Sequence, residues 1–171
     1  MKIFLTAKKG LGKSTVVEKF VRLYNKPING FYITRMKDRS NNNQGFLAKT
    51  FDGRMEILSH KKLIRSDYIV GDNHNIDIDV VNNFLVPEIK KGLTDNSLLV
   101  IDEIGRMEAL SESFLGVVRE AVSSENNILA TIVYEDEPWS LEFKTDPRVK
   151  LIEVTLENRD NLPNELLRLF N

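Results

Sequence analysis

The 171 residues include 24 lysines and arginines against 25 aspartates and glutamates, 42% hydrophobic residues and no cysteine, a composition that suits one globular domain spanning 1–171. A net charge of −1 argues against bulk attraction to nucleic acid or an anionic membrane, and the lack of cysteine excludes a disulfide framework or a thiolate metal site. No apolar run reaches transmembrane length and Ile3 to Thr6 is too short for a signal-peptide core, so the expectation is a soluble, cytoplasmic monomer, although a cysteine-free chain fits an oxidising compartment equally well.

The apolar opening Ile3-Phe4-Leu5 reads as a strand that runs directly into Ala7-Lys8-Lys9-Gly10-Leu11-Gly12-Lys13-Ser14-Thr15. This is a phosphate-binding loop in its expected context, close to the form G-x-x-x-x-G-K-[ST] with Ala7 for the first glycine. Glycines let backbone N–H groups turn inward around phosphate oxygens, the Lys13 ammonium can reach the β- and γ-phosphates, and the Ser14 hydroxyl can ligate Mg²⁺. The plainer alternative is a glycine turn beside a basic patch; the strand before and the helix after argue against it. From Ser14, the residues Val16, Val17, Phe20, Val21 and Tyr24 recur at helical spacing, with Glu18, Lys19 and Arg22 on the other side. The segment Asn25 to Asn29, containing Pro27, ends that helix.

Gly30 to Met36 is rich in β-branched and aromatic residues, and Gly45-Phe46-Leu47 follows a polar break at Asp38 to Gln44; the pattern predicts a strand, or two strands joined as a hairpin. Residues 51 to 78 give turn signals at Asp52-Gly53 and Gly71-Asp72-Asn73 but no period. His60 and His74 have no metal-ligand spacing around them and are expected at surface or loop positions. Val80, Val81, Phe84, Leu85 and Ile89 predict a helix capped by Asp77 or Asp79, kinked or broken at Pro87 and ended by Gly92. Leu98-Leu99-Val100-Ile101 is the continuous apolar run of a strand buried on both faces, and it ends in Asp102-Glu103. A carboxylate there can hold Mg²⁺ through its water shell, and the next one can orient or deprotonate an attacking water.

Ser111 or Ser113 can cap a helix carrying Phe114, Val117, Val118 and Ala121, and Ile128 to Val133 is the next strand. The acidic Glu135-Asp136-Glu137 before Pro138-Trp139 reads as an exposed loop rather than a gate. Leu151, Ile152 and Val154 form a last strand, and a terminal helix has Pro163 in its first turn with Leu166, Leu167 and Phe170 inward. Strands alternating with helices predict a three-layer α/β fold, a mostly parallel sheet flanked by helices.

Three segments in this order, the phosphate loop, Asp102-Glu103-Ile104-Gly105-Arg106-Met107-Glu108 and Val154-Thr155-Leu156-Glu157-Asn158-Arg159-Asp160-Asn161-Leu162-Pro163, resemble the small P-loop nucleoside-triphosphatases, the cancer-related and thermostable family. Gly30-Phe31-Tyr32, Gly45-Phe46 and Asp52-Gly53 match it too. The resemblance implies the P-loop fold, with relation to nucleotide kinases, and Mg²⁺-dependent cleavage of several nucleoside triphosphates, ATP and GTP among them, to diphosphate and phosphate. It implies Lys13 and Ser14 as phosphate and metal residues, Asp102 as an outer-sphere metal ligand and Glu103 as the base. Arg106 would meet developing phosphate charge, and Asn158 and Arg159 would lie against the base or ribose; a turn and cap before the last helix is an equal reading of that pair.

The chain departs from the family where an acid is usual at Arg35, where Arg-Pro-Asp is usual at Asp146-Pro147-Arg148, and where basic residues are usual near Glu135. The paired charge reversal predicts that Arg35 and Asp146 interact. Transfer of the γ-phosphate to a nucleoside, nucleotide or other acceptor uses the same cradle as hydrolysis, with 51 to 78 then supplying the acceptor pocket. A slow, nucleotide-responsive binding module is the third reading.

Overall fold

The computed structural model describes residues 1–71 and 74–171. Among the described residues, nine strands form one sheet in the order β5-β6-β4-β3-β2-β7-β8-β1-β9. Its parallel half consists of β1 (Lys2–Thr6), β2 (Ile28–Lys37), β7 (Leu98–Ile104), β8 (Ile128–Ile132) and β9 (Val149–Glu153). Its antiparallel half consists of β3 (Asn43–Thr50), β4 (Met55–His60), β5 (Ile69–Val70) and β6 (His74–Ile76). No helix among the described residues is long and apolar enough to cross a membrane.

Alternation along the buried strands explains why they read as unbroken apolar runs. Phe4, Leu99, Ile101, Ile128 and Ala130 point to one face, where α3 (Val86–Leu93) and α4 (Glu112–Ser123) cover them with Ile89, Phe114 and Val118. Ile3, Leu5, Leu98, Val100 and Leu129 point to the other, against Val16, Val17 and Phe20 of α1 (Lys13–Leu23) and Leu166 and Phe170 of α6 (Leu162–Phe170). The sheet therefore has helices on both faces, as a parallel sheet requires.

Gly30 to Met36 and Gly45-Phe46-Leu47 are indeed paired as a hairpin, β2 with β3, though β2 begins two residues early at Ile28. The aperiodic stretch 51 to 78 contributes three short strands: β4 returns along β3 after a turn in which Gly53 N–H donates to Thr50 O (3.1 Å), and β6 and β5 extend it. Of the expected turn at Gly71-Asp72-Asn73, Asp72 and Asn73 lie outside the described residues. Both histidines are buried in strands rather than at the surface; the His60 ring accepts the backbone N–H groups of Lys62 and Leu63, and His74 packs on Phe46.

Asp77 caps the next helix, its carboxylate accepting Asp79 N–H (3.1 Å) and Val80 N–H (3.3 Å) ahead of α2 (Ile78–Val80). Pro87 neither breaks nor stops the helical path. Residues Val81–Leu85 form a π turn in which Val86 N–H reaches Val81 O, so the widened turn accommodates a ring that lacks an N–H and would crowd an α-helical carbonyl. Gly92 lies inside α3, not at its end: an added Cβ would stand 2.7 Å from Leu99 Cδ1, so the glycine serves helix-to-strand packing. Pro138–Lys144 forms a helix, α5, that periodicity did not announce; Glu137 and Ser140 make a capping box around its first turn. Arg35 and Asp146 do not meet: β2 and β9 are separated by β7, β8 and β1, about 19 Å at ordinary strand spacing, and Asp146 is held by Arg148 at 2.7 Å.

Candidate active site

The carboxyl ends of β1, β7 and β8 bring the predicted residues together, at the edge where open α/β sheets bind ligands. Residues Ala7 to Gly12 leave β1 as a loop in which Gly10 (φ +86°) and Gly12 (φ +98°) adopt left-handed backbone that a side chain would strain. Gly12 is the N-cap of α1, whose first turn has neither a side-chain cap nor an acidic residue. Its leading N–H groups therefore face outward as a cradle for an anion. Leu11 anchors the loop to the core beneath, while Lys8, Lys9, Ser14 and Thr15 are exposed.

Lys13 reaches back across the loop: its Nζ donates to Ile132 O (3.1 Å) and stands 3.4 Å from Glu103 Oε2. The Ser14 hydroxyl donates to Asp102 Oδ1 (3.2 Å). The same carboxylate oxygen accepts from Thr131 Oγ1 at 2.5 Å, a fully buried hydroxyl on β8. Burial pushes the Asp102 carboxyl up, while the Thr131 and Ser14 hydroxyls and Lys13 favour its charged form. A bulge in the β7–β8 pairing between Ile101 and Ile104 sets Asp102 and Glu103 against the single residue Thr131. This local slip changes where the acidic pair aims; Asp102 is buried beside Ser14, whereas the Glu103 side chain is 37% exposed beside Lys13.

Two outlying candidates have partners elsewhere. Arg106, on the turn after β7, donates to Glu137 (3.0 Å) across the edge of the site. Asn158 is committed to its own turn: its Oδ1 accepts Thr155 N–H (2.9 Å) and its Nδ2 donates to Glu153 O (2.8 Å). Arg159 is half-buried on that turn, and Asp160 stands 3.7 Å from Lys19 of α1. The acidic run is partly neutralised, since Lys144 of α5 donates to the Tyr134 and Glu135 carbonyls and to Asp136, and Glu137 meets Arg106.

Sequence reading missed Thr131 and placed Glu108 only as the next carboxylate on the Asp102 to Glu108 segment, to be tested should Glu103 not be the base. Thr131 sits in an apolar strand and acquires its role only through the bulge. Glu108 lies on a short 3₁₀ turn (Glu108–Leu110), is 1% exposed, and packs against the Gly105 backbone beside Glu103. A third feature is a cavity of about 410 Å³ that opens from Ser14 and Asp102 along α1, walled by Tyr32, Thr34 and Phe51 and by Glu18 and Arg22.

A family model described as NTPase matches residues 2–167. The chain is 34% identical over 170 residues to the nucleoside-triphosphatase THEP1 of Thermotoga sp. (strain RQ2), covering 99% of this chain and 95% of that one. It is 30% identical over 182 residues to a cancer-related nucleoside-triphosphatase homolog of Bos taurus, covering 96% and 94%. The crystal structure of THEP1 from Aquifex aeolicus superposes with a TM-score of 0.85 at 32% identity, over 99% of this chain and 98% of that one. The solution structure of a human cancer-related nucleoside triphosphatase does so with 0.82 at 27%, over 99% and 97%.

Proposed function

The chain belongs to this nucleoside-triphosphatase family, and from that premise we propose that residues 1–171 act as one catalytic unit that hydrolyses nucleoside 5′-triphosphates, ATP and GTP among them, to diphosphate and phosphate. The observation that carries the reading is the Glu103 carboxylate 3.4 Å from Lys13 Nζ, a base beside the cation that would draw in the γ-phosphate. The uncapped first turn of α1 and the loop amides receive the phosphate chain, and Lys13 exchanges its contact with Ile132 O for phosphate oxygen. Glu103 orients a water in line with the γ-phosphorus and takes its proton. Arg106, released from Glu137, is within the same edge to meet charge developing on the γ-phosphate. Asn158 and Arg159 form the wall toward base and ribose, Asn158 by holding the turn and Arg159 by contact.

The Ser14 hydroxyl and Asp102 carboxylate, 3.2 Å apart, are hard oxygen donors that fit Mg²⁺, Ser14 directly and Asp102 through water. When bound there, the ion supplies charge neutralisation on the β- and γ-phosphates. Asp102 is kept in place for this by Thr131.

The cavity beside Ser14 and Asp102 favours a second reading, transfer of the γ-phosphate to an acceptor. Of the described residues in the stretch 51 to 78, only Phe51 lines it. A single-turnover assay with Mg·ATP and Mg·GTP, with and without nucleosides and nucleoside monophosphates, decides between them. Phosphate release in a single fast phase without acceptor is expected, arrested by chelation of Mg²⁺. Acceptor phosphorylation with little free phosphate would give the reaction to transfer instead, and stoichiometric binding without turnover would make the protein a nucleotide-responsive module.

A further inference from the structure

Glu108 is a buried carboxylate beside the site that the reaction above does not use. It is 1% exposed, and neither of its oxygens is engaged in a hydrogen bond of good geometry among the described residues. A buried carboxyl in that state has a cost that a fold removes easily, by apolar replacement, unless the group does something. Its position says what. A methyl group at Gly105 would lie 2.6 Å from Glu108 Oε2 and 3.0 Å from Glu103 Oε1, so the two oxygens flank the same point beside the Gly105 backbone. Glu103 Oε2 stands 3.4 Å from Lys13 Nζ, and its Oε1 lies at the Gly105 position that Glu108 Oε2 also approaches.

We propose that Glu108 is a positioning acid for Glu103: a neutral carboxyl seated behind the base, whose hydroxyl donates to Glu103 Oε1 and whose ionisation withdraws that support. The inference rests on the reading of Glu103 as general base. Burial, reinforced by the negative Glu103 and Asp102, pushes the Glu108 carboxyl up to about 8, and the backbone N–H groups of Glu108 and Gly105 offset this only in part. Glu108 therefore holds a proton at neutral pH, as a donor must. The charged groups around it are Glu103 and Asp102 on β7; Lys13 stands on the far side of Glu103, Arg106 is turned to Glu137, and Glu112 to Arg119. No cation faces Glu108 among the described residues, so an ionised Glu108 would set a second negative charge against the base and the incoming phosphates. A donor held against one carboxylate oxygen fixes which oxygen is left for the water.

The test is the pH dependence of kcat at saturating Mg·ATP. The wild-type enzyme is expected to lose kcat along an alkaline limb with an apparent pKa near 8. Glu108→Gln keeps an N–H donor and cannot ionise; it should lower kcat at neutral pH by no more than about fivefold and move the limb up by at least about one pH unit. Glu108→Leu, with no donor, should lower kcat by about tenfold or more while KM stays within about threefold. A role in packing alone would leave the limb in place in Glu108→Gln, and that result overturns the inference, as does a wild-type profile flat to about pH 9.5. The wild-type profile needs no variant to fold. Failure of the underlying reading is separable: if Glu103→Gln turns over like wild type, the base lies elsewhere, whereas a fall in Glu103→Gln with an unmoved limb in Glu108→Gln defeats only the role of Glu108.

Discussion

Lys13, Ser14, Asp102 and Glu103 were legible because each belongs to a contiguous motif whose chemistry depends on neighbours in sequence. Thr131 was not, because a bulge makes it a partner of Asp102; Glu108 was legible as the next carboxylate on the segment, but its closeness to Glu103 at Gly105 was not. Asn158 shows the reverse, a residue singled out by resemblance whose polar atoms hold its own turn. For Glu103 the expected outcome is specific: Glu103→Gln keeps size and hydrogen bonding but cannot accept a proton, so kcat should fall by about 10²-fold or more with triphosphate affinity kept within about threefold. Rapid-quench and equilibrium binding measurements check the two halves. Glu108 also predicts how stability varies with pH. Its carboxyl is raised from 4.5 to about 8 on folding, so below 4.5 both states are protonated, and between the two values the unfolded chain ionises while the folded one does not. Stability should therefore decline as pH rises through that window, by up to about 5 kcal/mol from this group, and level off above it. Urea denaturation of wild type and Glu108→Gln at pH 5 and pH 8 checks it; the variant should gain relative stability at the higher pH, and an equal difference at both would show that Glu108 is ionised when buried.

Among the elements, those with continuous apolar runs or a clean helical stripe were legible, since burial on two faces or one leaves a mark in composition. β4, β5 and β6 left none because they lie toward the edge of the sheet, are short, and mix Glu56, Ser59 and His60 with apolar residues. α5 is seven residues long and is specified by its capping box more than by periodicity. The antiparallel half meets the helical layer through Ala48, Leu58 and Ile76, which share a core cluster with Val81, Leu85 and Ile89, and through a set of ion pairs. Glu88 of α3 is 3% exposed and is paired with Arg54, at the start of β4, which also holds Asp52 and lies over the Phe84 ring; Lys91 joins both acids. Hydrogen bonds from Arg54, Thr50 and Lys91 hold the Asp52 carboxyl well below the usual range. Arg54→Met keeps the aliphatic length but leaves Glu88 buried with only Lys91, and should destabilise by roughly 2–4 kcal/mol. Adding Glu88→Gln should recover at least half of that loss, because the uncompensated charge is then gone. Chemical denaturation of the two single variants and the double variant measures the coupling; strict additivity would mean that the ion pair does not bind the hairpin to α3.

At the scale of the whole molecule, the site is built on the strands that carry both core clusters: Phe4 and Leu5 of β1 face opposite layers directly beneath the phosphate loop, as do Val100 and Ile101 beneath Asp102. A ligand held by the loop, Ser14 and Asp102 is thus attached to strands that carry both core clusters. Binding to the folded state alone adds RT ln(1 + [L]/Kd), about 2.7 kcal/mol at a ligand concentration of 100 Kd. For a chain of this size each kcal/mol moves the thermal midpoint by roughly 2–4 °C, so Mg²⁺ with a slowly hydrolysed triphosphate analogue should raise it by roughly 5–11 °C. The sole tryptophan supplies a test of how far that reaches, because Trp139 is on α5 and packs on the core of the face away from α1. Its fluorescence and the far-ultraviolet circular dichroism should shift together and by the same amount, one transition before ligand and one after. If the dichroism midpoint rises while the Trp139 transition stays where it was, α5 and its layer unfold apart from the phosphate site, and the chain is two cooperative units instead of one.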